Sequence, residues 1–132
     1  MKYLCIVYAG SEPQEISAAQ EPAIKDACIE QDHALFEAGK LVVASPLQGP
    51  ETAVVVRYRD GKALRTDGPF LETKEWIAGF MLIDAADIEE ATAIATEGPL
   101  EGLADIEIRP LLEERHSGTG QDRSAFFRRG TA

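Results

Sequence analysis

Residues 2–9 are apolar on both of their alternating faces, and this feature restricts the fold more than any other. The two alternating sets are Tyr3, Cys5 and Val7 on one face and Leu4, Ile6 and Tyr8 on the other. A strand with this pattern has to be covered on both sides, because either face would otherwise expose apolar surface to water. The chain therefore needs a second layer on each side of its first strand.

Two helices are predicted from their end signals. Pro22 suits the first turn of a helix, where its missing N–H costs nothing, and Gly39 is typical of a helix end, so we expect a helix over 22–38. Asp87 is a capping residue, and Glu90 completes a capping-box pattern for a second helix that ends at Gly98.

Short β-branched or alternating runs predict the remaining strands. These runs are 40–44, 52–59, 62–65, 76–84 and 103–109. Asp60-Gly61 supplies a two-residue hairpin turn between the second and third of them, since glycine takes a positive φ freely. Clean alternation in the last run directs Ile106 and Ile108 inward.

The element order predicts an α+β fold, ferredoxin-like βαββαβ with an extra β-hairpin. Right-handed crossovers place both helices on one face of the sheet and leave the other face bare. Because the first strand is apolar on both faces, we expect two sheets to meet in a homodimer, as a dimeric α+β barrel. Residues 1–113 form the predicted domain, and 114–132 a flexible C-terminal tail with a net charge of +2 against −12 for the rest.

Composition narrows the possible partners. The 132-residue chain has a net charge of −10, so direct binding to a nucleic acid backbone is not expected. No apolar run approaches about 20 residues, which predicts no membrane span, and no signal peptide is recognised, which predicts a cytoplasmic protein. Cys5 and Cys28 are interpreted as buried reduced thiols. His33 and His116 are the only histidines, and no glycine-rich phosphate loop occurs, so neither metal nor cofactor is expected.

Residues 66–75, Thr-Asp-Gly-Pro-Phe-Leu-Glu-Thr-Lys-Glu, are the densest cluster of acids, bases and turn residues, and we call them the 66–75 segment. A purely structural interpretation suffices for its start: Asp67 forms an Asx turn, Gly68 is pushed toward extended geometry by the following proline, and Pro69 ends strand pairing. The functional interpretation is that binding groups gather at such a strand junction.

This segment and its surroundings resemble the DGPF family of the YCII-related superfamily. The resemblance covers most of the chain from Phe36 to about Leu112 and is carried by these runs: Ala38-Gly39-Lys40-Leu41, Ser45-Pro46-Leu47, 52–57, Asp60-Gly61-Lys62, 66–70, 72–75, 77–80, Glu90-Ala91 and 107–110. It implies a ferredoxin-like fold and a dimeric α+β barrel. It also implies an association with extracytoplasmic-function sigma factors, whose genes lie beside those of family members.

The wider superfamily is proposed to place a histidine and an aspartate in a pocket. His33 does not fall clearly at the matching helix position, but it has the chemistry of a general base near neutral pH. Asp32 interrupts the apolar stripe of the first predicted helix, which Ile24, Cys28 and Leu35 form, so its carboxylate must face a cavity, a cation or water.

The candidate residues form two sets. Asp67, His33 and Asp32 are the candidate catalytic groups, and the candidate ligand-binding residues are Arg57, Thr66, Gly68, Pro69, Phe70, Glu72 and Lys74. Arg57 or Arg65 would hold an anionic ligand or, in so acidic a chain, pair with Glu72 or Asp67. Two functions remain open: binding or transforming a small molecule beside the 66–75 segment, or acting as a non-catalytic regulatory partner of a sigma factor.

Overall fold

The structure, a computed structural model, describes residues 1–10, 18–69 and 74–127. In chain order its elements are β1 (Lys2–Gly10), α1 (Glu21–Glu37), β2 (Leu41–Pro46), β3 (Val54–Arg59), β4 (Lys62–Asp67), β5 (Glu75–Asp84), α2 (Ile88–Thr96) and β6 (Asp105–Pro110). Short 3₁₀ turns occupy Pro50–Thr52 and Ser124–Phe127. Within these described ranges no helix is long and apolar enough to cross a membrane.

Four of the strands form one antiparallel sheet in the order β2-β5-β1-β6. This is a mixed α+β architecture compatible with the predicted ferredoxin-like fold, because removing the hairpin leaves βαββαβ. Strands β3 and β4 pair only with each other, as a separate two-stranded sheet. The prediction treated the hairpin as an addition to the fold, and the separate pairing agrees with it.

The core lies between the helices and one face of the main sheet. Its buried members are Tyr3, Cys5, Leu41, Ile83, Ala85, Ala91 and Ala95. The two alanines of α2 let that helix approach the sheet closely, and Leu35 of α1 packs against the same cluster. One apolar face of β1 is therefore covered within the chain, as the alternation predicted.

The other face of the main sheet carries no helix, and we call it the helix-free face. It presents the half-buried Leu4, Ile6 and Tyr8 of β1. Their neighbours on the adjacent strand β5 are Leu82, Phe80 and Ile77, respectively. Leu82 is buried, whereas Ile77 is 47% exposed. This face is the second apolar side of β1, and the helices leave it uncovered.

The ends of α1 follow the sequence signals. Pro22 lies in the first turn, and Gly39 takes a φ of +78° directly after the helix. The Gly39 and Lys40 N–H groups donate to the carbonyl oxygens of Phe36 and Leu35, which satisfies the last carbonyls of the helix. This cap sets the direction in which the chain enters β2.

The N-terminus of α2 differs in one respect from the predicted capping box. The Glu90 N–H donates to Asp87 Oδ1 at 2.9 Å, as a capping aspartate requires. The Glu90 side chain, however, does not complete the box, because its Oε1 accepts a hydrogen bond from Lys40 Nζ at 2.6 Å. An ion pair from the start of β2 to α2 thus replaces the reciprocal capping bond.

Candidate functional site

The start of the 66–75 segment ends strand β4 in an exposed position. Thr66 and Pro69 are exposed, and the Asp67 carboxylate lies 3.5 Å from the Arg65 guanidinium in an ion pair open to water. The Asx turn expected at Asp67 stays a prediction, because Pro69 has no N–H and residues 70–73 lie outside the described residues. The sequence had left this Arg65–Asp67 pairing open as an alternative to anion binding.

Gly68 does not adopt the extended geometry predicted from the proline that follows it. Its φ is +103°, a region that residues with a Cβ rarely enter, and its N–H donates to the Ala53 carbonyl oxygen at 2.7 Å. A Cβ added here would meet nothing within 4 Å. The glycine is therefore required by backbone conformation and not by close packing, and its hydrogen bond joins the end of the hairpin to its beginning.

Of the remaining ligand-binding candidates, two lie within the described residues and two lie outside them. Arg57 is half-buried in β3, and Lys74 is exposed immediately before β5. Phe70 and Glu72 lie outside the described residues. The middle of the 66–75 segment is thus undescribed, but both of its ends are placed.

Asp32 and His33 lie on α1, in different environments. Asp32 is half-buried, and burial raises the pKa of its carboxyl, an effect that the charge of His33 partly opposes. Burial and the Asp32 charge also raise the pKa of the Cys28 thiol. His33 is exposed and projects from the side of the helix that it shares with the exposed Ile29.

The three candidate catalytic residues are not joined by direct contacts. In the part of the chain that the structure describes, neither Asp32 nor His33 forms a hydrogen bond or ion pair with Asp67. The pocket with a histidine and an aspartate that the resemblance implies therefore stays a prediction.

A different polar group lies where the 66–75 segment ends. Five polar side chains lie together on the helix-free face, along β6 and at the end of the sheet where β5 begins. We call them the sheet-end cluster: Tyr8, Glu75, Asp105, Glu107 and Arg109. Strand register explains the arrangement, because Tyr8 lies opposite Asp105 and Ile6 lies opposite Glu107 on the neighbouring strand. Residues opposite one another in adjacent strands point to the same face.

Glu107 is the centre of one hydrogen-bonded chain within the cluster. The Tyr8 hydroxyl donates to Glu107 Oε1 at 3.1 Å, and Arg109 Nε donates to Glu107 Oε2. Hydrogen bonding by Arg109 and then Tyr8 lowers the pKa of the Glu107 carboxyl. The bond to Glu107, followed by burial, raises the pKa of the Tyr8 hydroxyl. At neutral pH Glu107 is therefore a carboxylate that accepts a hydrogen bond from the protonated phenol of Tyr8.

Glu75 and Asp105 form the second part of the cluster. Glu75 is the first residue of β5, opposite Gly10, and Asp105 lies opposite Tyr8 on the other side of β1. Hydrogen bonding to Asp105, with the Asp105 charge second, raises the pKa of the Glu75 carboxyl. Neighbouring carboxyl groups favour the protonated form of one of them, because two like charges repel. A protonated Glu75 can donate a hydrogen bond as well as accept one.

Comparison with known proteins supports the sequence resemblance. A family model described as the YCII-related domain matches residues 1–115. The chain belongs to the YCII-related family. An uncharacterised protein of Rhizobium meliloti (strain 1021) is 40% identical over 79 residues, which is 57% of this chain and 62% of that protein. The match thus spans less than two thirds of the relative's length.

The cluster of this YCII-related domain was only partly accessible to sequence reasoning. Alternation in 103–109 directed Ile106 and Ile108 to the core and so placed Asp105, Glu107 and Arg109 on the opposite face. Glu75 belonged to the segment already singled out. The sequence pattern does not contain the register between β1, β5 and β6. Only this register brings Tyr8 and Glu75 close to the polar side chains of β6.

A cavity of about 550 Å³ lies elsewhere in the YCII-related domain, between the chain start and the tail. Its lining is Met1, Lys2, 111–115, Asp122, Arg123, Ser124 and Phe127. Each of its cationic side chains is already paired: Lys2 with Asp84, Arg115 with Asp122 and Arg123 with Glu114. An anionic ligand would have to displace an ion pair for every cation it used, which makes this cavity a weaker candidate than the cluster.

The described carboxyl, imidazole and thiol groups do not form a metal site. Among residues 1–10, 18–69 and 74–127, no group of three or more histidine, cysteine, aspartate or glutamate side chains is arranged to hold a metal ion. The carboxyl groups of the cluster are instead engaged with Tyr8, Arg109 and one another.

Proposed function

We propose that this YCII-related domain binds or transforms a small molecule beside the 66–75 segment, with the sheet-end cluster as the polar end of the site. The observation that carries this proposal is the position of Glu75, which closes the segment, near Asp105: Glu75 lies opposite Gly10 and Asp105 lies opposite Tyr8, on the two sides of β1. This register connects the most distinctive sequence of the chain to a pair of neighbouring carboxyl groups, and Asp105 raises the pKa of Glu75.

The chemistry of the cluster suggests the class of ligand. A protonated carboxyl group beside a phenol can donate and accept hydrogen bonds at once, as an amide or a neutral carboxylic acid requires. Glu107 and the net charge of −10 disfavour a polyanion. The apolar side chains of Ile6 and Phe80 lie beside the cluster on the same face. The ligand expected here is therefore neutral or cationic, with an apolar body.

Proton transfer is the chemical step this site supports best. The raised pKa of Glu75 moves its titration toward neutrality, and a general acid or base is most effective when its pKa lies near the working pH. Asp67, exposed and ion paired at the other end of the segment, would contribute to binding rather than to this step.

The proposal is tested by native mass spectrometry followed by a binding screen. A gently purified chain is weighed before and after denaturation, and any mass lost is identified. Neutral and cationic metabolite mixtures are then screened by ligand-observed NMR. Glu75→Ala should weaken a bound compound by about tenfold or more, because it removes the carboxyl group and its hydrogen bonds.

Glu89→Ala is the matched control, since Glu89 is an exposed glutamate of α2 and no part of the cluster. Binding that Glu75→Ala and Tyr8→Phe both leave unchanged would overturn the proposed site. A screen without any bound compound would overturn the small-molecule proposal and direct the search to a protein partner.

A further inference from the structure

The cavity between the chain start and the tail is enclosed because the chain turns back after β6. The Leu111 N–H donates to the Lys2 carbonyl oxygen at 2.9 Å, so the chain beyond β6 still runs beside β1. The 3₁₀ turn Ser124–Phe127 then returns to the same place, where the Lys2 ammonium lies 5.5 Å from the centre of the Phe127 ring. The enclosed volume of about 550 Å³ is that of a small-molecule site.

The cations at this cavity are all engaged within the described chain. Its three cationic side chains form the ion pairs given above. The Met1 amino group lies 3.3 Å from the Asp84 carboxylate, which also accepts from Lys2, and donates to the Ala85 carbonyl oxygen at 2.9 Å. The cavity therefore has no spare positive charge to offer an anion.

Glu113 differs from the other acidic side chains of the lining. Glu114 and Asp122 are held by arginines, at 2.6 and 3.6 Å. The exposed Glu113 side chain also lines the cavity, but within residues 1–10, 18–69 and 74–127 it forms neither a hydrogen bond nor an ion pair. A carboxylate left over beside neutralised cations is a place for one positive charge. The net charge of −10 also attracts cations to the protein.

Apolar side chains line the same cavity beside Glu113. Leu111 and Phe127 are half-buried, and Leu112 is 80% exposed. A ligand with an apolar body would remove the open parts of these side chains from water, which is favourable. The lining thus combines one unpaired carboxylate with apolar surface.

We propose that this cavity binds a small organic cation, namely a primary ammonium group carried on an apolar chain or ring. The ammonium group would donate hydrogen bonds to the Glu113 carboxylate, and the apolar part would lie against Leu112 and Phe127. An anion would have to displace an existing ion pair, and a neutral compound would leave Glu113 without a charged partner.

This second site is separate from the sheet-end cluster. The cavity lies at Lys2 and the cluster at Tyr8, at opposite ends of β1 and about 20 Å apart along the strand. Binding of a cation here would not involve the 66–75 segment. Its absence would therefore leave the proposed function intact.

The test compares three probes of similar size and different charge: phenethylamine, phenethyl alcohol and hydrocinnamate. Each is titrated into the isotope-labelled full chain, and the backbone amide signals are followed by NMR. Phenethylamine should shift the signals of 111–115 and 122–127, and it should bind at least about threefold more tightly than the alcohol or the acid, because only the amine pairs with Glu113. Equal binding of the three probes, or no binding of the amine, would overturn the proposal.

Two substitutions with matched controls identify the site. Glu113→Gln should reduce the affinity for phenethylamine to that for the alcohol, whereas Glu101→Gln changes an exposed glutamate outside the lining and should have no effect. Phe127→Ala should weaken binding, and Phe126→Ala, at a neighbour that is 75% exposed and outside the lining, should not. Circular dichroism confirms that each variant is folded.

The location of the shifted signals distinguishes this cavity from the proposed site. Shifts confined to Glu75 and 105–109 would mean that the amine binds the sheet-end cluster, and they would overturn a cation site at the tail. An affinity for phenethylamine that Glu113→Gln leaves unchanged would overturn it as well.

Discussion

The Tyr8 hydroxyl donates a hydrogen bond to Glu107 Oε1 at 3.1 Å and so connects β1 to β6 across the helix-free face. Because Arg109 binds the other oxygen of the same carboxylate, Glu107 is fixed between a phenol and a guanidinium. Glu75 and Asp105 adjoin this chain of groups at the start of β5. The polar end of the sheet is therefore organised by side chains from three strands.

Replacing the phenol tests this organisation. Tyr8→Phe removes one of the two donors that lower the pKa of Glu107, so that pKa should rise when measured by carboxyl-carbon NMR. Tyr58→Phe changes a tyrosine that is 74% exposed on the hairpin and should leave Glu107 unaffected. An unchanged Glu107 titration in Tyr8→Phe would mean that the hydrogen bond is not formed in solution.

Gly68→Ala should destabilise the protein through backbone strain. A φ of +103° costs a residue with a Cβ roughly 1–2 kcal/mol, although no atom obstructs the added methyl group. Urea unfolding measures the difference. Gly118→Ala is the control, since a Cβ there makes only ordinary contacts with His116, and it should change the free energy of unfolding much less. Equal effects of the two substitutions would contradict the assigned conformation.

The two cysteines should differ in reactivity. Cys5 is fully buried, and burial raises the pKa of its thiol to about 11, whereas Cys28 is half-buried on α1. The thiolate is the reactive form, so Cys28 should be alkylated first in the native protein and Cys5 only on unfolding. Mass spectrometry of peptides after timed alkylation identifies the order. Rapid labelling of Cys5 without unfolding would contradict the core described here.

Asp84 should contribute an acid-sensitive part of stability. Its hydrogen bond with Lys2 lowers the pKa of its carboxyl below the ordinary 3.8. A lowered pKa in the folded state stabilises the protein above the unfolded-state pKa, and this stabilisation is lost as the pH falls through the folded-state pKa. Lys2→Met should therefore reduce the loss of stability as the pH falls below the ordinary 3.8 of Asp84. Lys25→Met, on the exposed side of α1, should not.

Sequence patterns anticipated the elements better than the site. The β1 alternation, the Pro22 and Gly39 signals and the Asp60-Gly61 turn depend on nearest neighbours in the chain, and the structure confirms each of them. Asp60 and Gly61 both take a positive φ, as a two-residue hairpin turn requires. Such local features follow from backbone sterics alone.

The candidate site depends on strand register and on long-range contacts, which a single sequence does not contain. The Tyr8–Glu107 and Glu75–Asp105 contacts join residues far apart in the chain, and a slip of one residue in register would send these side chains to opposite faces. The positive φ of Gly68 was missed for a related reason: proline restricts the preceding residue, but glycine has a mirror-image extended region open to it.

The interaction of Glu75 with Asp105 at the end of the 66–75 segment is central to the proposed function, and a pH titration of the Glu75 carboxyl carbon by NMR tests it most directly. The structure predicts that Glu75 titrates above its ordinary value of 4.5 and that Asp105→Asn lowers this pKa. Because the Glu75 pKa is raised in the folded state, its contribution to stability should be present below pH 4.5 and lost as the pH rises through the folded-state pKa. A Glu75 that titrates at its ordinary value, unchanged by Asp105→Asn, would contradict the account.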